Sequence, residues 1–270
     1  MDPQEIVLIT GANTGLGFQI VRALCGSNKT YNILLAGRSL VKAQQAVRSA
    51  TEDFPFSRSK LWPIQVDIED DDSIHRVFDE IQTKFGRLDA LVNNAGAQLD
   101  QQLALGSMTM RQMWNQSWNV NTVGAQIMTS VFIPLLLQSN NPRLLFITSG
   151  TSTLNGTENR TLAVNKYPPK GWPKNNFDGN SFSVPAYRSS KTGMNMMMRE
   201  WYRMLKEDGV KVWCVSPGFL ATGLGGNQEA NKNMGAGDPA EAGNFVKSVL
   251  EGYRDGDVGK VILRDGVQPW

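Results

Sequence analysis

The sequence predicts an α/β fold built on one doubly wound, parallel sheet. Three observations carry this. Short β-rich runs alternate with longer helical stretches along the chain, several runs are apolar at every position, and a glycine-rich turn joins the first run to the first helix. About seven strands are expected: IVLIT (6–10), NILLAG (32–37), LWPIQVDI (61–68), LDALVNN (88–94), RLLFITS (143–149), VKVWCVS (210–216) and KVIL (260–263). Helices are expected after Gly15, over 39–50, after the acidic run Glu69–Asp72, over 109–138 with a late break at Pro134, and over 187–207 and 239–251. Asp72 reads as the N-cap of the third helix, with its acidic neighbours favoured by the positive helix end. In DPAE, Asp238 stands at N-cap, Pro239 at N1 and Glu241 at N3 of the last one.

No charge run, low-complexity tract or Gly/Ser linker divides the 270 residues, so a single domain over 1–270 is expected. Residues 151–186 break the rhythm. They hold Tyr167, Pro168, Pro169, Trp172, Pro173, Phe177, Phe182 and Pro185 with little periodicity. A stretch of that length reads as a functional element or a packed insertion.

Composition removes whole classes of function. Lys plus Arg is 27 against 25 for Asp plus Glu, a net charge of +2, with no basic stripe along the chain, so no nucleic-acid partner is expected. The longest apolar run, VFIPLLL (131–137), is far short of the roughly 20 residues that cross a bilayer. The opening MDPQE has neither a basic nor an apolar leader segment, which predicts a cytoplasmic protein without a membrane partner. His75 is the one histidine, and Cys25 and Cys214 are the two cysteines, in no metal-ligand spacing. No metal and no disulfide are expected, and both thiols read as small buried apolar residues.

The turn after the first strand is TGANTGLG, Thr10 to Gly17. Glycines at 11, 15 and 17 permit a tight turn, close approach of backbone to a pyrophosphate, and close helix–strand contact. A helix starting near Gly15 aims its free amides at the anion. Neither GxxxxGK[ST] nor GxSxG occurs, which removes a nucleoside-triphosphate loop and a nucleophile elbow. Further on, Tyr187 and Lys191 stand at i and i+4, on one face of a helix. A tyrosine titrates near pH 10 in water, and a neighbouring ammonium stabilises its anion, which makes a usable general acid or base.

These segments together resemble the short-chain dehydrogenase/reductase family. TGANTGLG is similar to its TGxxxGxG signature, and six further elements follow in order: Asp67-Ile68, NNAG at 93–96, Asn121, Ser149, YRSSK at 187–191 and SPGFLAT at 216–222. The resemblance spans about residues 6–263 and implies a Rossmann-type fold binding NADPH or NADP. Gly11, Asn13, Thr14, Gly15, Leu16 and Gly17 would form the cofactor loop, and Asp67 would accept from the adenine amino group with Ile68 lining the ring. Asn94, Ala95 and Gly96 would lie along the adenosine ribose and pyrophosphate, while Asn93 ties adjacent strands together. Pro217, Gly218, Leu220 and Thr222 would hold the nicotinamide carboxamide and the nearby phosphate.

Family members that use NAD carry an acidic residue at the end of the second strand. Here that place is Gly37, followed by Arg38, with Lys42 four residues on. A carboxylate repels a 2′-phosphate, whereas a guanidinium bonds it and stacks on adenine, so NADPH is the expected cofactor. Thr14 departs from relatives that place a basic residue in the loop. The resemblance implies carbonyl reduction by hydride transfer, with Tyr187 as proton donor and Ser149 bonding the same oxygen. Lys191 would hold the nicotinamide ribose and lower the Tyr187 pKa, and Asn121 would link Lys191 to solvent through a water. Thr148 and Ser152 are the alternatives to Ser149.

Between Ser149 and Tyr187 lie 37 residues, more than the family's usual connection, and this resembles the insertion of monomeric carbonyl reductases. The ending GVQPW is similar to the same branch. A monomer is therefore favoured over a homo-oligomer, and the insertion either walls the substrate cleft with aromatic residues or is a packed surface loop. The Met-rich run 193–201 reads as core or interface filling ahead of a substrate box, and Phe219 with the loop 222–237 as a flap over substrate. The expected substrate is a small apolar or aromatic carbonyl compound, or its alcohol. The alternatives are an isomerase or cyclase on the same fold, a non-redox NADP-binding sensor, and an interaction scaffold.

Overall fold

The computed structural model describes residues 4–172, 174 and 183–270; Pro173, Phe177 and Phe182 of the expected insertion lie outside them. The chain opens with β1 (Glu5–Ile9), α1 (Gly15–Cys25), β2 (Tyr31–Gly37), α2 (Leu40–Asp53), β3 (Lys60–Gln65), α3 (Asp71–Phe85) and β4 (Ala90–Asn93). It continues through α4 (Asp100–Ala104), α5 (Met110–Trp118), α6 (Gly124–Leu136), β5 (Arg143–Ile147), α7 (Pro185–Leu205) and β6 (Lys211–Val215). The last elements are α8 (Gln228–Asn233), α9 (Pro239–Leu250), β7 (Val261–Leu263) and β8 (Gly266–Val267).

The strands form one sheet in the order β3-β2-β1-β4-β5-β6-β7-β8. All pairings are parallel except β7 with β8. The eighth strand is two residues long and lies in the tail that seven strands left unassigned. Strand order reverses between β1 and β4, which opens a crevice beyond their carboxyl ends.

Alternate residues of each strand feed opposite faces. Leu8, Leu34, Leu91 and Leu144 pack with Phe132, Met194 and Met198 on one side. Ile9, Leu35, Val92 and Leu145 pack with Ile20, Leu24 and Val246 on the other. The Met-rich run is split accordingly: Met194 and Met198 are core, Met197 packs at its edge and Met196 is exposed. Cys25 and Cys214 are both buried free thiols.

Four local expectations are corrected. The third strand ends at Gln65 instead of residue 68, because its partner β2 ends at Gly37 and the Asp67 amide turns to Ser73 Oγ at 3.0 Å. Asp70, not Asp72, caps α3: its Oδ1 accepts from the amides of Asp72 (3.0 Å) and Ser73 (3.3 Å). The helix over 109–138 is not broken at Pro134, which sits inside α6; Ser130, whose carbonyl loses its usual donor there, is on the exposed side. The irregularity falls instead at Asn119–Val123, a π-helical turn between α5 and α6. Asn93 ties β4 to a helix rather than to a strand, its Nδ2 donating to Thr129 Oγ1 of α6 at 3.0 Å.

The capping correction has a measurable consequence. Asp70→Ala should lower stability in urea denaturation by about 1 kcal/mol, and Asp72→Ala by no more than a few tenths.

Candidate active site

The carboxyl ends of β1, β4, β5 and β6 meet the N-terminal halves of α1 and α7. The glycine loop is held there by contacts that leave no room for side chains. A Cβ on Gly17 would lie 2.4 Å from Gly11 O and 2.5 Å from Asn94 Nδ2, and one on Gly11, at φ +62°, would lie 2.9 Å from Ala95 Cα. Asn94 closes the clamp: its Nδ2 donates to Thr10 O (2.8 Å) and Gly11 O (3.2 Å), and Thr10 Oγ1 accepts from the amides of Asn94 and Ala95 at 3.0 Å. Asn94 is thus bonded to the loop itself. Leu16 packs into the second apolar layer, fixing the helix that follows.

Thr14, at the N-cap of α1, is exposed and its side chain bonds none of the first-turn amides. Beside it lies a polar cavity of about 170 Å³ lined by Thr14, Gly15, Gln19, Thr222, Gln228 and Pro239 among others. The start of α9 reaches this cavity as well, and Thr222 sits against Gly15. Pro217, Gly218 (φ +94°) and Leu220 lead from β6 into that corner, where Leu220 bridges Gly237. The loop 222–237 contains α8, and Asn231 Nδ2 ties it shut by donating to Thr222 O and Leu224 O at 2.9 and 3.1 Å.

At the end of β2, Asn13 Oδ1 fills the space beside Gly37, where a Cβ would approach it to 2.7 Å. Arg38 and Lys42 are exposed next to it, and neither pairs with a carboxylate among the described residues. Asp67 is half-buried and turns its Oδ1 to the Glu69 amide at 3.1 Å. Ile68 is buried against Gly124, whose absent side chain permits the approach.

The polar groups expected at the reacting end converge. Tyr187 is half-buried with its phenol beside Ser149, whose Oγ bonds Thr151 Oγ1 at 3.0 Å and accepts from the Thr151 amide at 3.2 Å. Lys191, one turn on, is 3 % exposed, with Nζ 6.0 Å from the Tyr187 ring centre and donating to Ile147 O at 2.8 Å. Asn121 occupies the π-helical turn; it accepts from Ala97 N (2.9 Å) and donates to Ala97 O (2.8 Å) and Ser190 Oγ (3.0 Å). A Cβ on Gly96 would come within 3.0 Å of Asn121 Oδ1 and 3.3 Å of Lys191 Nζ, so this glycine borders both.

The protonation pattern differs from what helical spacing argues. Burial pushes the Tyr187 phenol up to about 12, opposed by the neighbouring Ser149 hydroxyl, and pushes Lys191 down to about 8. Desolvation is the largest cause for both groups.

Of the three candidate hydroxyls, Ser149 alone faces Tyr187. Thr148 Oγ1 bonds Asn195 Oδ1 (2.7 Å) and Ser152 Oγ (3.1 Å), while Ser152 Oγ donates to Ser149 O (2.6 Å) and accepts from Asn195 Nδ2 (2.9 Å). Gln268, 3 % exposed in the C-terminal tail, joins this network by donating to Ser149 O at 3.2 Å. Sequence reasoning missed Asn195 and Gln268, whose contacts cross 43 or more residues of chain. It also missed Asp100, a buried carboxylate whose two oxygens accept from the amides of Ala186 (2.9 Å) and Tyr187 (3.2 Å). Only burial marks these polar residues out, and burial is not written in local sequence.

In the described part of the insertion, Arg188 of α7 donates to Thr151 O, Val164 O and Asn165 Oδ1, all within 3.0 Å, and single turns form at Asn155–Glu158 and Ala163–Asn165. Tyr167 and Trp172 are exposed. A larger open groove, about 610 Å³, runs along α7 between Leu154, Met196, Arg199 and Trp270; its walls include none of Ser149, Tyr187 or Lys191. Among the described residues no helix is long and apolar enough to cross a membrane.

Comparison with known proteins agrees with this architecture. The short chain dehydrogenase family model matches residues 5–161 and 178–233. The chain is 46 % identical over 272 residues to the short-chain dehydrogenase/reductase tropE of Talaromyces stipitatus, covering 100 % of this chain and 99 % of that one. It is 42 % identical over 278 residues to eupG of a Phoma species, covering 99 % and 98 %. Among solved structures, NADPH-bound carbonyl reductase from chicken fatty liver superposes with a TM-score of 0.76 at 20 % identity, over 99 % of each chain. L-sorbose reductase from Gluconobacter frateurii, in complex with NADPH and L-sorbose, gives 0.74 at 17 %, over 96 % and 94 %. With its fold, its glycine loop and its full-length relatives in agreement, the chain belongs to the short-chain dehydrogenase/reductase family of oxidoreductases.

Proposed function

We propose that this protein is an NADPH-dependent reductase that converts a ketone or aldehyde to an alcohol. The observation that carries the reading is the convergence of the Tyr187 phenol, Ser149 and buried Lys191, whose Nζ lies 6.0 Å from the Tyr187 ring centre. The residues present fit a dinucleotide. The loop excludes side chains at 11 and 17, α1 begins without a capping side chain, and a polar cavity lies at that helix end. Arg38 and Lys42 would meet a 2′-phosphate, and Asn13 occupies the space an acidic residue at 37 would need. The two solved reductases both hold NADPH, which points the same way.

When bound, the nicotinamide supplies the hydride that reduces the carbonyl carbon. Tyr187 gives its phenolic proton to the carbonyl oxygen, and Ser149 Oγ donates a hydrogen bond to that oxygen as negative charge develops on it. Lys191 holds a positive charge under the tyrosinate left behind, and Asn121 fixes the Ala97 backbone beside it. Gln268 and Ser152 hold the Ser149 carbonyl from behind, while its Oγ exchanges its bond with Thr151 Oγ1 for one to the substrate oxygen. Loop 222–237 closes over substrate, and the exposed Phe219, Leu224 and Met234 on and beside it favour an apolar or aromatic compound.

Tyr187→Phe should lower NADPH-dependent carbonyl reduction, followed by loss of reduced-nicotinamide absorbance, by about 10²–10⁴-fold. Its NADPH affinity should stay within about threefold of the parent; surviving activity would remove Tyr187 as the proton donor. Arg38→Ala should weaken NADPH by about tenfold or more in a fluorescence titration and leave NADH nearly unchanged. Lys191 gives a pH signature in the protein without cofactor. Its folded pKa of about 8 lies below its ordinary 10.5, so the buried ammonium destabilises the fold below pH 8, and this penalty fades as pH rises to 10.5. The parent should therefore gain a few kcal/mol of stability relative to Lys191→Met between pH 7 and 10.5 in denaturant titrations.

A further inference from the structure

We propose that Asp100 is a positioning residue for Tyr187, holding the first turn of the catalytic helix from a different part of the fold. This rests on the reductase reading of the same site. Helix α7 begins without a local cap: Val184 at N-cap is apolar, and Pro185 at N1 has no N–H. The Arg188 amide already bonds Val184 O at 3.0 Å. Two donors within the first turn remain, the amides of Ala186 and Tyr187, and each goes to one oxygen of Asp100.

Asp100 is 86 and 87 residues away in sequence and only 2 % exposed. A carboxylate buried to that degree is costly unless its oxygens are bonded, and these two bonds are what this one receives from α7. The segment that carries it comes straight from the cofactor clamp. Asn94 grips the glycine loop, Gly96 borders Asn121 and Lys191, Ala97 pairs with Asn121, and Asp100 grips Tyr187. Seven residues therefore span from the loop that would hold the dinucleotide to the proton donor. The bond to Tyr187 is to its own backbone N–H, so losing it frees the backbone that aims the phenol.

The test compares Asp100→Ala and Asp100→Asn with the parent, and with Thr109→Ala, which breaks the capping box of α5 and touches none of these groups. Four quantities are read: kcat and KM for a carbonyl substrate, NADPH affinity, hydrogen exchange of the Ala186 and Tyr187 amides, and the Tyr187 ring carbon NMR signal, assigned by its loss in Tyr187→Phe. Asp100→Ala should lower kcat about tenfold or more, with KM and NADPH affinity within about threefold. Both amides should lose protection and the ring signal should shift or broaden. Asp100→Asn, which keeps one acceptor oxygen, should fall between, and Thr109→Ala should lower Tm alone. An unchanged kcat or an unmoved ring signal in both Asp100 variants would overturn the proposal. A parent without carbonyl turnover would instead sink the reductase reading, and the ring signal would then decide the positioning role by itself. If Asp100→Ala fails to fold, Asp100→Asn carries the same readouts.

Discussion

A lysine ammonium taken out of water beneath a tyrosine is the constraint on which the site depends. Lys191 is almost fully buried and bonds the carbonyl of Ile147, the last residue of β5. Burial destabilises its charged form, and the same burial destabilises a charged Tyr187. Tyr187 therefore stays a neutral phenol that can give up a proton, and Lys191, with a pKa of about 8, still carries most of its charge near neutral pH. A reaction that makes tyrosinate draws the two charges into mutual support in a setting of low polarity, where the interaction is strong. The pair sits between β5, the π-helical turn and the Asn94–Asp100 segment.

That segment explains why the parts of the site are mutually registered. The parallel sheet brings the carboxyl ends of β1 and β4 side by side, with Ile9 opposite Val92. Chain leaving β4 therefore crosses the glycine loop first and the start of α7 second. Polar contacts at both crossings are made by side chains to backbone, Asn94 to Thr10 and Gly11, and Asp100 to Ala186 and Tyr187. Such contacts fix main-chain position with little freedom, which suits a site where small displacements matter.

Much of this was legible in the sequence because its signals are local. Strand runs apolar at every position mark a sheet covered on both faces, the glycine spacing marks a loop under close approach, and Tyr187 with Lys191 needs only the helical repeat. What escaped depends on distance along the chain. The Asp70 cap competes with two neighbouring aspartates of equal propensity, and only backbone direction decides among them. A proline at 134 argues for a late break in the helix, yet packing of Phe132, Leu135 and Leu136 into the core outweighs one lost backbone bond. Gln268 and Asp100 read as ordinary polar residues until the fold buries them against Ser149 and Tyr187. Spacing reports proximity and not solvent exclusion, so the rise of the Tyr187 phenol with burial is not readable from it.

Transfer of isotope tests the central claim most directly. NADPH carrying deuterium at the nicotinamide C4 position is incubated with the protein and a panel of apolar and aromatic ketones and aldehydes, and the products are read by mass spectrometry. The account predicts an alcohol with deuterium on the former carbonyl carbon and an unlabelled hydroxyl proton drawn from solvent. Tight NADPH binding with no label reaching any carbonyl carbon would contradict it, leaving a nucleotide-binding protein whose buried tyrosine and lysine serve some other chemistry.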